Sequence, residues 1–393
     1  MNDRLPTSEL SRRLAAEGAG VWQVHNEALT RRNRGDDVIV LSVGDPDFPT
    51  PPEITEYLVR QVNRGRTHYS PAGGEPELLA AIASLETGVE GRSFSPGQFT
   101  IFPGATAALY GVFACILDPG DEVVIPEPMY IGYHGIFDGI GARVISVPLD
   151  ADNGFAMNVS QVADAITRRT RAVLVNTPGN PAGNILPGSV LRELAAVCAD
   201  RGVWLVCDEV YSLFTYDEAH VSLLKAADTL DNVVVVDSLS KSHAMSGWRI
   251  GWTFAPDSLT QKLWRYCGAT FFGCSQFIQD AAAFALSFNG PHILRMRDEY
   301  RARRDYVVGR VNRLNRLDCF EPRAGMFVML DVSRCARDGD DFARRLLDEQ
   351  GVSVIPGAGF GANTANYVRF SLTQPVEVLG RALDRIETLL GSE

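Results

Sequence analysis

The sequence predicts an α/β protein. Its larger part is a mostly parallel sheet sandwiched by helices, and a smaller α+β part follows. Three observations carry this. Short β-rich runs alternate with helical stretches through the middle of the chain, and strands separated by helices pair in parallel with both faces covered. Residues 233–236 are four successive valines, the pattern of a strand buried on both sides. After about residue 290 the alternation gives way to a long Arg-rich amphipathic stretch, residues 295–316.

Taken in order, the seven candidate strands are residues 98–102, 122–125, 143–148, 172–176, 204–207, 233–237 and 251–254. Between them, residues 105–117 and 189–200 have the apolar spacing of helices. Beyond the Arg-rich stretch come an apolar run at 325–331, a further helix and a strand at 367–371. The first 40 or so residues are too short for a domain and are expected to lie against other parts of the structure. With no internal repeat, low-complexity tract or polar linker, the domains are expected to interleave.

The chain has 393 residues, 46% hydrophobic and 22% charged, inside the ordinary soluble range, and predicts two or three domains. A balance of 37 Lys+Arg against 48 Asp+Glu gives a net charge of -11, which argues against a nucleic-acid binder but leaves room for a local basic pocket. The seven cysteines are scattered, odd in number and never spaced Cys-x-x-Cys. Neither a disulfide framework nor a metal site is expected, and a reducing compartment is. The charged N-terminus lacks the apolar core of a signal peptide, and no apolar run approaches the ~20 residues that span a bilayer. A cytoplasmic protein without membrane or nucleic-acid partners is the expectation.

In open α/β sheets, functional groups gather at the C-terminal strand ends. Those ends hold Gly104, Ala105 and Thr106; Asn176 to Asn180; Asp208 to Tyr211; and Ser238 to Lys241. A lysine beside serine-rich turns is by itself an ordinary solvated charge. Its company suits one cofactor, pyridoxal 5'-phosphate, which needs a Schiff-base lysine, a carboxylate at its ring nitrogen, and a helix N-terminus with hydroxyls and an arginine for its phosphate. Lys241 and Asp208 are the first two candidates. Gly104, Ala105 and Thr106, where a strand turns into a helix, form the cradle, with Ser238 and Arg249 flanking. Tyr130 is placed to stack on the ring, and Asn180 and Tyr211 to donate to its phenolic oxygen. His243 and Cys207 read as packed residues rather than reactive ones. Nothing in the sequence ties His25 or Trp22, in the N-terminal arm, to the pocket mouth.

The segment from Ser238 through Lys241 and Arg249 to Gly251 resembles the lysine signature of the class I aminotransferases, the aspartate aminotransferase-like family. Asn176-Thr-Pro-Gly-Asn180-Pro-Ala-Gly183 resembles that family's Asn-Pro-x-Asn-Pro-Thr-Gly motif, and Asp208-Glu-Val-Tyr211 its strand-end motif. The likeness extends from Gly44-Asp-Pro-Asp through Tyr69 and Glu127-Pro-Met-Tyr130 to Val368-Arg369-Phe-Ser, in the family's order. It implies a fold of one large cofactor domain, residues 46–290, and a small domain, residues 291–393, completed by an N-terminal arm, residues 1–45. It implies that Lys241, with Asp208 and Tyr211 beside it, is the catalytic base. Arg369, Asn180 and the backbone at Gly44 would bind the substrate α-carboxylate. Tyr69 would reach the cofactor phosphate of the other subunit in a homodimer with shared active sites, across which the N-terminal arm would pack.

Two departures stand out. Ala182-Gly183 replaces the usual Thr-Gly, and residues 266–280 contain no Arg or Lys. Dicarboxylate-specific members present a second arginine from that region, so an aspartate or glutamate donor is not expected. The resemblance implies a pyridoxal phosphate-dependent transaminase that moves the amino group of an L-amino acid to a 2-oxo acid. The texture is most similar to the arginine–pyruvate branch. An elimination or replacement lyase, for example on S-adenosylmethionine, and an amino-acid oxidase stay open on the same scaffold. A DNA-binding regulator does not fit, since the motifs begin by residue 41.

Overall fold

The β-rich runs of the middle region assemble into one seven-stranded sheet. Its order is Phe99–Phe102, Gly251–Phe254, Val233–Ser238, Trp204–Asp208, Thr170–Asn176, Glu122–Glu127 and Arg143–Pro148. The computed structural model describes residues 5–16, 21–90, 92–288 and 290–391. Neighbouring strands run parallel except Gly251–Phe254, which is antiparallel to both its partners. The fold is α/β, as expected. Val233, Val234, Val235 and Val236 are all buried, split between the cores on the two faces of the sheet.

The expected elements are all present, with shifted ends. Trp204–Asp208 takes Asp208 into the strand because Asn176 pairs with it across the ladder. Glu122–Glu127 runs two residues further than expected, paired throughout with Arg143–Pro148. The Arg-rich helix is Pro291–Val311 rather than 295–316. Pro291 suits a first helical turn, where its missing N–H goes unused. At the far end, Arg313 and Leu314 N–H groups bond back to the carbonyls of Arg310 and Val311, and the chain turns away before 316.

A second, antiparallel sheet has the order Ile355–Pro356, Tyr367–Ser371, Phe327–Asp331 and Asp318–Cys319. Ile39–Val40 pairs in parallel with Val352–Ser353. Val24, Ala28, Ile39 and Leu41 therefore join Val328, Val368, Phe370 and Leu383 in one buried cluster, and both ends of the chain contribute to it. Each large aliphatic side chain buried there contributes about 1.5–3 kcal/mol. The helix Glu9–Ala16 lies on Gly132–Ile140 of the same chain, where Arg13 Nε and Nη2 donate to the carbonyls of Asp138 and Gly139.

The segment at residues 41–50 crosses between the two sheets and is stitched to each. Ser371 and Thr373 hydroxyls donate to the Val43 carbonyl at 2.8 and 3.1 Å, and Arg303 grips Asp47 with two bonds of 2.8 and 2.9 Å. On the other side Thr50 Oγ1 donates to the Ala244 carbonyl at 2.6 Å. Among the described residues, no helix is long and apolar enough to cross a membrane.

Candidate active site

Parallel register decides what meets at the edge of the large sheet. Asn176 is level with Asp208 and Asp208 with Val236, so Ser238 and the short helix Leu239–Ser242 begin just beyond them. These residues, the start of the helix Ala105–Ile116, and Arg369 from the small sheet surround a cavity of about 310 Å³. Of the predicted residues, Gly44, Ala105, Thr106, Tyr130, Asn180, Asp208, Tyr211, Ser238, Lys241, Arg249 and Arg369 line it. Gly104 sits just behind, as the residue that starts the helix. Tyr69 lies apart, 82% exposed and edge-on to Phe272, which is itself 59% exposed.

Lys241 donates from Nζ to the Gly44 carbonyl at 2.6 Å. Burial lowers its pKa to about 8, and the Arg369 and Arg249 charges push the same way against Asp45 and Asp208. A buried amine near neutrality is the form that attacks a carbonyl carbon.

Asp208 accepts from Tyr133 Oη at 2.7 Å and from the Val210 N–H at 3.3 Å. Burial raises its pKa to about 6, and those two hydrogen bonds hold it down from going higher. Its backbone carbonyl takes the Asn176 side-chain amide at 2.9 Å, and Asn176 Oδ1 accepts the Asn180 N–H at 2.7 Å, which fixes the Asn180 turn. Tyr211 is buried, and burial pushes its phenol pKa up.

At the helix start, Arg249 Nη1 donates to the Ser246 carbonyl at 2.7 Å and Nη2 to the Pro103 carbonyl at 3.2 Å. Gly104, at φ +95°, leaves room for that guanidinium, since a Cβ there would stand 2.2 Å from Arg249 Nη2. Gly251 does the same for the backbone: its Cβ would lie 2.8 Å from the Ala105 nitrogen. The two glycines thus bring a guanidinium and the free N–H groups of a helix N-terminus together, which is an anion site. The Ser238 hydroxyl caps the lysine helix by accepting from the Ser240 N–H at 3.3 Å.

Arg369 is 3% exposed. Nη1 donates to Asn180 Oδ1 at 2.9 Å and Nη2 to the Ser42 carbonyl at 2.8 Å, while Nε has no partner. The guanidinium lies 4.1 Å from the Phe327 ring centre and 4.9 Å from that of Phe360. Burial lowers its pKa to about 10. An unmatched buried N–H costs about 1–3 kcal/mol and a lone buried charge several more. Two aromatic faces return about 2 kcal/mol of that. The remainder suits a site whose carboxylate arrives from solution.

The donor set fits pyridoxal phosphate: a buried amine, a carboxylate held by two donors, and an anion cradle that a Cβ at Gly104 would fill. Among the described residues no cluster of His, Cys, Asp or Glu is arranged for a metal ion. Sequence reasoning missed Tyr133, Ser42 and Phe327, and found no support for Trp22, which lines the cavity. Tyr133 stands three residues after Tyr130 in the same aromatic stretch, a spacing that was there to be read. The others come from segments remote in sequence. His243 is buried and packed, its Nδ1 2.8 Å from Ser242 Oγ, and Cys207 is core.

Residues 36–386 match the family described as aminotransferase class I and II. The chain is 40% identical over 379 residues to an arginine–pyruvate transaminase, AruH, of Pseudomonas aeruginosa, covering 96% of each. It is 31% identical over 370 residues to an aspartate aminotransferase of Pyrococcus horikoshii, covering 93% of this chain and 94% of that one. The structure of Thermus thermophilus aspartate aminotransferase with maleate superposes with a TM-score of 0.92 at 33% identity, covering 98% of this chain and all of the other.

Proposed function

The chain belongs to the aminotransferase class I and II family and is a pyridoxal phosphate-dependent transaminase, and on that premise we propose how its residues divide the reaction and which donor it takes. The gathering of Lys241, Asp208 and Arg369 in one cavity supports this reading above all else.

Pyridoxal phosphate supplies an aldehyde that accepts the donor's amino group and a protonated ring that draws electrons from the donor's Cα. Lys241 Nζ would hold the cofactor at its aldehyde carbon and, as a free amine, would take and return the proton of the donor's Cα. Asp208, ionised and held by Tyr133, keeps the ring nitrogen protonated. Tyr130 would cover the ring, and Asn180 and Tyr211 would donate to its phenolic oxygen. Gly104, Ala105 and Thr106 with Ser238 and Arg249 bind the phosphate. Arg369, with Asn180 and the Gly44 backbone, binds the substrate α-carboxylate as a bidentate pair.

The enzyme works as a homodimer in which the exposed Tyr69 reaches the partner's cofactor phosphate, and it resides in the cytoplasm. The domains divide at about residues 45 and 290. Its donor is a basic amino acid such as arginine, with pyruvate as acceptor. Two observations support this choice: the similarity to an arginine–pyruvate transaminase, and the absence of Arg or Lys from 266–280, where a dicarboxylate would need one.

The test is the half-reaction. The loaded protein, mixed with a panel of amino acids and no acceptor, should convert arginine to its 2-oxo acid, one per subunit, and then make alanine when pyruvate follows. Ammonia, hydrogen peroxide or a released leaving group would point instead to elimination, replacement or oxidation and would overturn the transfer reading for this donor.

A further inference from the structure

The N-terminal arm contributes one aromatic side chain to the cavity, Trp22, in the turn before the helix Gln23–Asn33. It packs, as Tyr130 does, against the buried cluster of Ile131, Ile355 and Phe360. Phe360 in turn lies against the Arg369 guanidinium. The indole therefore stands between the wall that carries Tyr130 and the wall that carries Arg369. His25 holds it edge-on, with ring centres 5.6 Å apart. His25 Nδ1 is 2.7 Å from Ser42 Oγ, and the Ser42 carbonyl accepts from Arg369 Nη2 at 2.8 Å. One short line of contacts thus positions both Trp22 and Arg369.

The charges of the lining narrow what can pass the indole. The only carboxylate in the lining among the described residues is Asp208, already engaged by Tyr133 and Val210. The cations are Lys241, Arg249 and Arg369. Trp22 and Val43, the apolar lining residues from the N-terminal part of the chain, carry no charge, so an acidic side chain reaching them meets no cation there. A guanidinium meets the face of an indole, the strongest cation–π partner among side chains. A flat cation also stacks where a hydrated ammonium does not.

We propose that Trp22 is the specificity-determining residue for the donor's side chain, its indole face taking the guanidinium of a basic amino acid. This rests on the basic-donor reading above. Citrulline separates the two claims, because it matches arginine in length and shape and lacks the charge.

The measurement is kcat/KM for arginine and for citrulline, in the pyridoxal phosphate-loaded wild type, Trp22→Phe and Trp22→Leu. The wild-type ratio reads the donor class; a wild type with no preference for arginine contradicts the basic-donor reading. The change in that ratio reads Trp22. Trp22→Leu should lower it about tenfold, while Trp22→Phe keeps it within about threefold of wild type. A Trp22→Leu protein that slows both donors equally, or leaves the ratio untouched, overturns the proposal. If Trp22→Leu fails to load cofactor, Trp22→Met gives the same readout.

Discussion

At the strand ends of the seven-stranded sheet, each charged group of the cavity has partners from the chain itself. Lys241 has the Gly44 carbonyl, Asp208 has Tyr133 and Val210, and Arg249 has the carbonyls of Ser246 and Pro103. On the small sheet Arg369 is more deeply buried than Lys241 or Arg249, yet its Nε is unmatched and only a neutral amide and a carbonyl face its other nitrogens. The first region is finished for a group that stays; the second is left incomplete for one that comes and goes. A resident cofactor and a transient carboxylate demand those opposite arrangements.

The sharpest way to break the first half is Lys241→Ala. Amino transfer should fall at least about a thousandfold, and the visible absorbance of the covalently held cofactor should be lost. A variant that keeps either would remove Lys241 from the reaction.

Capture of pyridoxal phosphate by the apoprotein reads the two pKa shifts. Burial lowers Lys241 from the ordinary 10.5 to about 8, so the reactive neutral amine accumulates at lower pH than for a free lysine. Burial raises Asp208 to about 6, so its charge, needed opposite the ring nitrogen, is lost as pH falls through that value. The capture rate should rise through pH 6, rise again toward pH 8 and then level. A rate still climbing above pH 10 would show that burial does not perturb the amine. Tyr133→Phe should have a smaller effect, about tenfold on cofactor affinity, because one of two donors to Asp208 is removed. It should also move the lower limb of the profile to higher pH. An unchanged lower limb would mean that Tyr133 does not hold the carboxylate.

The same contrast explains what the sequence made legible. Parallel strands end in short local motifs, so Asp208, Ser238, Lys241 and Arg249 stand out within runs of a few residues. The α/β class followed from alternation and from the valine run, because those patterns reflect burial directly. Arg369 was legible only through resemblance, since an arginine in a strand is usually a surface residue. Of its surroundings, Asn180 was legible the same way, but Ser42 and the stacking of Phe327 and Phe360 were not. Ser42, Asn180, Phe327 and Phe360 converge from four separate segments, and His25 and Trp22 from a fifth, with Asn180 and Ser42 reaching Arg369 across 189 and 327 residues. Only the packing of both chain ends into one core brings them together. The shift of the Arg-rich helix to Pro291–Val311 has a local cause: charge on an exposed face continues past the point where the backbone turns.

Arg369→Gln tests the division most directly. The glutamine keeps a polar side chain beside Asn180 and removes the charge. Cofactor content and absorbance of the purified variant are compared with wild type, together with kcat/KM for the amino donor. Absorbance should match wild type, and kcat/KM should fall by about a hundredfold or more, as expected when a buried charged pair with substrate is lost. Loss of the cofactor with the arginine, or a donor kcat/KM within a few-fold of wild type, would contradict the separation of a cofactor half from a substrate half.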